Sequence, residues 1–442
     1  MHFKSKLQIL RILCLVSFNI ITIYKLFLQI INQNIIQQQL PYTTDAKELV
    51  STMGISDAGL LLDLAITWSN FNNLSEEQYF TVSYWSPGIS LIEVPMIWLQ
   101  SFGIPIYLSM SLFTLALWNL VLYLQFQIFT NGWPIVISGI FLILFTFSYD
   151  HYWIFEAGLF YTEGIGYGLL YLALLLTIKN LRSSNKTKLV FIGLVLGSAI
   201  LVRYTNEFAL LLVTLICIVI ILINKIYISQ KNPFELEIKN VLLIFAIGLL
   251  ITVPWRVINH EFYSMPTWKL SIASNELGYM IWAVEGSDSA NYWGETGSNW
   301  ACRIDQIKCE TLNESNIRLI SNQVLMREAI ISAIAKPIQY SKQRLKYGGL
   351  FYFNDKSIPN MIYSSALLIL GLLSFLSIWK TKITKLYLLI LFPFVIINLF
   401  YLSLIHFETR YFLPLKILVI LTFTLIYLKK SNHSDVIKAS FN

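Results

Sequence analysis

The sequence predicts an all-α polytopic membrane protein, and three observations predict it. The 442 residues are 56% hydrophobic and only 13% charged, with a mean hydropathy of +0.62. Several apolar runs exceed the roughly 18 residues that indicate a membrane-crossing helix. Lys and Arg gather beside those runs in alternate connections, the pattern that orients helices in a bilayer. The formal charge of +7 is therefore a set of topology signals, and no nucleic-acid partner is expected.

The first span is read at Leu10–Ile31. Its basic start (Lys4, Lys6, Arg11) lies in the cytoplasm, and with no small-residue cleavage site near its end it is read as retained. A first outer loop, 32–103, follows. It holds Asp57 and Asp63, then Glu76-Glu77, then the aromatic segment Ser83-Tyr84-Trp85-Ser86-Pro87-Gly88. Asp57 and Asp63 are six residues apart, a spacing that does not stack them on one helix face. Ile89–Gln100, short and interrupted by Glu93 and Pro95, reads as a helix at the membrane interface.

Spans 2 and 3, Ile104–Phe129 and Trp133–Phe147, flank a tight Thr130-Asn131-Gly132 turn. A polar, aromatic loop with Asp150, His151, Glu156 and Glu163 leads to span 4, Gly164–Ile178. Asp150-His151 supplies two metal-ligand types without a third, so it reads as a solvated loop pair. Lys179, Arg182, Lys186 and Lys188 mark the cytoplasmic end. Spans 5, 6 and 7 are Leu189–Val202, Phe208–Ile223 and Val241–Val257, with Arg203-Tyr204-Thr205-Asn206-Glu207 outside and Pro254-Trp255-Arg256 closing the seventh. A polar extracytoplasmic region, 258–359, comes next. Within it Asn316–Ala335 and Ile338–Lys346 read as amphipathic helices, the second carrying Lys342, Arg344 and Lys346. Spans 8, 9 and 10 are Met361–Ile378, Leu386–Leu404 and Phe412–Leu428, joined outside by His406–Tyr411 and closed inside by Lys429-Lys430. The basic residues thus support about ten spans with both termini inside. The chain divides into a membrane module (1–257), the outer region (258–359) and the closing helices with a short tail (360–442).

Of four cysteines, Cys14 and Cys217 sit in apolar spans as packing residues. Cys302 and Cys309 lie in the oxidising outer compartment, spaced for a short-loop disulfide, with two free thiols as the alternative.

Ionisable residues near a membrane are costly and need a reason. Asp57, Asp63, Asp150, His151, Glu156, Glu163, Arg203, Arg256, His260, Glu408, Arg410 and Tyr411 all fall at outer span ends or in outer loops. A pore or carrier more often places such groups near the midplane. Acids clustered with arginines on one side suit transfer of a group from a lipid phosphate: arginine grips phosphate through a bidentate fork, and a carboxylate deprotonates a hydroxyl or amine.

Several segments then resemble one family. SDAGLLLDLAITW followed by SYWSPGISLIEVPMIWL resembles the first outer loop of the GT-C glycosyltransferases, in the branch of the protein O-mannosyltransferases and the lipid A aminoarabinose transferase. LFYTEGIGYGLLYLALLL is similar to that branch's fourth-span entry, SAILVRYTNEFALLL to the end of its fifth span, and VPWRVIN to its Pro-Trp ending before the outer domain. REAIISAIAKPIQYSKQRL and FETRYFLPLKILVILTF resemble its late outer helices and last-span opening. The resemblance covers roughly residues 50–415 and rests on order, spacing and side, since no single motif is specific. Two departures stand out: Asp57 is followed by Ala58 where the family often carries a second acid, and Leu61 replaces the usual aromatic.

The resemblance implies a GT-C-like fold with a helical first outer loop and a small outer domain, in the cytoplasmic (plasma) membrane with its active site outside. It implies a polyprenyl-phosphate sugar donor and an acceptor that is a protein, lipid or glycan. It makes Asp57 the catalytic base, although on the residues alone Asp57 reads as the N-cap of the helix it opens. Glu163 becomes its assisting acid, against a reading as a carboxylate favoured by the helix dipole. Tyr84, Arg203, Arg256, Arg410 and Tyr411 become substrate-binding groups, against interfacial anchors for the two span-end arginines. Asp63, on its own a hydrogen-bonded helix residue, joins that wall. Membrane lipids surround the spans. No metal-ligand set stands out, though the outer acids leave room for a divalent metal ion. The alternative from another class is a transporter or flippase of a lipid-linked glycan.

Overall fold

The computed structural model describes residues 2–36, 46–53, 57–75, 78, 81, 86–129, 132–155, 160–227, 235–262, 334–335, 337–353, 357–379, 390–399 and 412–439. Among them every regular element is helical. In chain order these are α1 (His2–Ile36), α2 (Ala46–Met53), α3 (Asp57–Ser69), α4 (Gly88–Gln100), α5 (Ile106–Ile128), α6 (Gly132–Thr146), α7 (Tyr149–Phe155), α8 (Thr162–Lys179) and α9 (Lys186–Val202). A 3-10 turn (Tyr204–Asn206) leads to α10 (Glu207–Tyr227), α11 (Glu235–Phe262), α12 (Pro337–Phe353) and α13 (Ile358–Trp379), then α14 (Ile390–Leu399) and α15 (Leu413–Ala439).

Each expected span overlaps one of these helices, the ninth only over Ile390–Leu399 among the described residues. Among the described residues five are long and apolar enough to cross a membrane, six if α6 and α7 form one broken span. Their surfaces fit that reading, with Ile9, Ile20, Leu215 and Leu372 exposed on outward faces while Phe18, Val121, Tyr171 and Leu421 are buried between helices. Helix bundles in lipid gain nothing by hiding apolar groups from lipid tails, so close contact rests on small residues. The α9–α11 seam shows this. A Cβ on Gly193 or Gly197 would lie 2.8 Å from the Ile244 or Gly248 carbonyl oxygen, so the two glycines, four apart on one face, let the backbones touch.

In the expected first outer loop the described helices α2, α3 and α4 form a small layer. In α3 and α4 the chains run parallel, tied by Ser90 Oγ donating to the Leu61 carbonyl at 2.8 Å and Trp98 Nε1 donating to the Ser69 carbonyl at 3.1 Å. Helix α4 covers the stretch Ile89–Gln100 that the sequence expects to be helical, and Pro95 within it removes one backbone donor. The layer docks on the bundle through Gly88, whose Cα meets the Leu201–Val202 backbone; a Cβ there would fall 2.4 Å from both Leu201 C and Val202 N. Ser86 Oγ fastens the same spot by donating to the Val202 carbonyl at 3.2 Å.

One expectation is corrected. The stretch after span 3 is not wholly a solvated loop: α6 bends by 76° into α7, and Asp150, His151, Ile154 and Phe155 are buried. The expected amphipathic helix at Ile338–Lys346 is also longer, starting at Pro337, a residue suited to a first helical turn, and running to Phe353. The expected helix Asn316–Ala335 lies almost wholly outside the described residues.

Candidate functional site

The starts of α8 and α10 and the C-terminal ends of α9 and α11 carry two acid–arginine pairs. Glu163 lies in the first turn of α8, where a carboxylate meets the positive end of the helix dipole. Arg203 follows α9 in extended backbone and reaches back. Its Nη1 donates to Glu163 Oε1 at 2.8 Å and to Thr162 Oγ1 at 2.7 Å, and its guanidinium lies 4.9 Å from the Tyr167 ring. The side chains of the pair are 9% and 2% exposed, so both charges are out of bulk water and each depends on the other. Two glycines make room. Gly164 sits against the Ile154 carbonyl, with a prospective Cβ only 2.7 Å from its oxygen, and Gly166 sits under the Arg203 stem.

The second pair joins α10 to α11. Arg256 Nη2 donates to Glu207 Oε1, and Arg256 Nε donates to Thr252 Oγ1 at 3.1 Å. Trp255 beside it meets Trp68 of α3 edge to face at 5.8 Å, which brings the first outer loop onto this end of α11.

Asp57 opens α3 at its N-terminus, as the sequence expects of that helix; its side chain lies outside the described residues. Asp63 is one turn and a half further on. Its Oδ2 accepts from Gln78 Nε2 at 2.5 Å, and Gln78 Nε2 also donates to Thr67 Oγ1 at 2.7 Å, so Asp63 ties the end of the loop back to α3. Tyr84, Arg410, Tyr411, Cys302 and Cys309 lie outside the described residues. Glu163 and Arg203, assigned separately from sequence, are thus brought into direct contact, and the Ser86–Gly88 anchor sits on the residue before Arg203. Among the described residues no three His, Cys, Asp or Glu side chains gather as a metal site.

For three groups the sequence reading missed the surroundings. Lys416 Nζ donates to both Asp150 oxygens, at 3.1 and 2.9 Å, and both side chains are fully buried. The signal for it was a lysine inside the apolar run FLPLKILVILTF, which at that depth demands a partner. Glu207 as the partner of Arg256 had no sequence signal, being 49 residues away. Glu93 in α4 is wholly buried, and among the described residues neither carboxyl oxygen has a hydrogen-bond partner; burial raises its proton affinity well above the usual carboxylate range. On α12, burial, with the Asp150 charge adding, pushes the Tyr352 hydroxyl up to about 12.

Comparison with protein-family models, with curated proteins and with solved structures gives no match to the chain.

Proposed function

We propose that this protein is a membrane glycosyltransferase of GT-C type, moving a sugar from a polyprenyl-phosphate donor to an acceptor at the outer face of the membrane. The observation that carries the reading is the fastening of the first outer loop, through Ser86 and Gly88, to the backbone immediately before the buried Glu163–Arg203 pair. A loop bearing a carboxylate at a helix start is thereby held to the bundle end that presents arginines, the two halves that such a transfer needs.

In the reaction, Asp57 takes the proton from the acceptor hydroxyl or amine as its oxygen or nitrogen bonds to the sugar's anomeric carbon. The bond from that carbon to the phosphate oxygen breaks, its electron pair leaves with the phosphate, and polyprenyl phosphate departs. Negative charge grows on the leaving group, and prearranged cations lower the barrier. Glu163 orients Arg203 and Glu207 holds Arg256, and the two guanidiniums supply positive charge on the phosphate side of the site. Arg410 and Tyr411 complete the phosphate side, and Tyr84 and Asp63 belong to the loop wall.

The test is transfer from a polyprenyl-phosphate sugar by protein in liposomes, read as released polyprenyl phosphate. Wild type releases it, and Asp57→Asn lowers the rate by on the order of 100-fold or more, the scale of a general base. Asp57→Asn at wild-type rate removes Asp57 as the base. Lipid-linked sugar that crosses the bilayer with no new glycosidic bond assigns the protein to the flippases instead.

A further inference from the structure

The Asp150–Lys416 pair is fully buried and has no part in the transfer chemistry above. In a membrane bundle such a pair is expensive to bury and needs a physical reason. Its surroundings supply one. Asp150 is the second residue of α7, the short helix that leaves α6 at 76°. A bend of this size between two short helices has little stiffness of its own, and three other helices grip it. From α1, Lys25 Nζ donates to the Thr146 carbonyl just before the bend, and Thr22 Oγ1 is 3.2 Å from His151 Nε2. From α13, Asn360 Oδ1 accepts from the Tyr149 N–H at 3.1 Å, while its amide nitrogen donates to the Phe353 carbonyl at the end of α12. From α15, Lys416 takes both Asp150 oxygens, its ammonium 5.2 Å from the Tyr352 ring and 5.6 Å from the Tyr363 ring.

The other end of α7 abuts the start of α8. The Ile154 carbonyl lies where only a glycine fits, against Gly164, and Trp118 Nε1 donates to the Gly164 carbonyl at 2.9 Å while its ring meets Phe155 edge to face at 6.3 Å. Gly164 is the residue after Glu163. A rigid path therefore runs from Lys416 through Asp150 and the two turns of α7 to the backbone that carries Glu163 against Arg203.

We infer that Asp150 and Lys416 are a positioning pair: their buried ion pair pins the α6–α7 bend and so sets the first turn of α8, which aims Glu163 at Arg203. The inference rests on the proposed transfer only for its catalytic consequence, because the positioning itself is measured without substrate.

The experiment compares wild type with Asp150→Asn, Lys416→Met and the Asp150→Asn/Lys416→Met double variant. All are full-length chains in nanodiscs, followed by hydrogen–deuterium exchange and, separately, by transfer kinetics. Each single variant leaves one member of the pair without its partner, and the double variant leaves a neutral site that the core tolerates. In the singles, exchange rises roughly tenfold both at 149–155 and at 160–166, the α8 start, while α9 and α11 keep wild-type rates. The double variant returns both segments toward wild type. The kinetic counterpart is a loss of roughly 10- to 100-fold in kcat with donor KM unchanged in the singles. Faster exchange confined to 149–155 overturns the inference, because the path to α8 is then absent. So does a uniform rise across all helices, because the pair then serves only global stability. If wild type transfers no sugar but 160–166 responds as described, the positioning stands and the transfer reading fails.

Discussion

Substituting Gly88 by alanine strikes the joint between the first outer loop and the bundle. The added Cβ would meet Leu201 C and Val202 N at 2.4 Å, and the Leu201 carbonyl oxygen at 2.5 Å, where ordinary contact begins at 3.4 Å. All three are backbone atoms, so no side chain can swing aside, and α4 must back away by about 1 Å. Overpacking of this kind costs about 1–3 kcal/mol, and the displaced Ser86–Val202 hydrogen bond adds about 0.5–1.5 kcal/mol. The loop then leaves its seat beside Arg203, and transfer falls by on the order of tenfold or more in kcat/KM. Gly132→Ala is the control, since nothing lies within 4 Å of its prospective Cβ. The assays are thermal unfolding in nanodiscs and limited proteolysis of the 70–87 stretch. Gly88→Ala that matches Gly132→Ala in both refutes the docking of the loop on α9.

Three further predictions follow from buried charges and bonds. Arg203→Met takes the arginine from the buried Glu163 carboxylate and lowers stability by about 3–5 kcal/mol, whereas Glu163→Gln/Arg203→Met costs about 1 kcal/mol or less while abolishing transfer; denaturant titration of the single and double variants decides it, and equal losses in both contradict it. Glu93 binds its proton more tightly in the folded chain than in the unfolded one, so its contribution to stability declines as pH rises above the ordinary carboxylate range. Glu93→Gln removes that decline, and unfolding midpoints measured between acid and alkaline pH converge with wild type at low pH and exceed it at high pH; parallel curves refute the assignment. Asp63→Ala frees Gln78 and the end of the loop, with a loss of about 1–2 kcal/mol and a more rapid cleavage of that loop by protease; unchanged cleavage means the Asp63–Gln78 bond does not hold it.

The helical architecture was legible because its determinants are local. Apolar length and the lysines beside the runs, as at Lys179–Lys188, give the expected spans, and the helices α9 and α13 fall where the runs predict. The helices expected over Ala58–Trp68 and Ile89–Gln100 followed from short apolar runs with polar interruptions, and α3 and α4 cover them. What escaped is non-local. The SYDHYW stretch looked like loop because its polar residues had no visible partners; its partner, Lys416, is 266 residues away and belongs to the last described helix. Glu163 and Arg203 were each singled out as span-end charges, but their contact required the fold of α8 against α9. The Gly193/Gly197 seam also escaped the sequence reading, although two glycines four apart bring small residues onto one helix face.

The central claim is sugar transfer from a polyprenyl-phosphate donor. Mass analysis of lipid-linked sugars and surface glycans from cells with and without the gene tests it most directly. The account predicts that deletion makes one polyprenyl-phosphate sugar accumulate and the matching glycan modification disappear, with both restored by the wild-type gene and neither by Asp57→Asn. Lipid-linked sugar pools and glycans that are the same in both strains would contradict it.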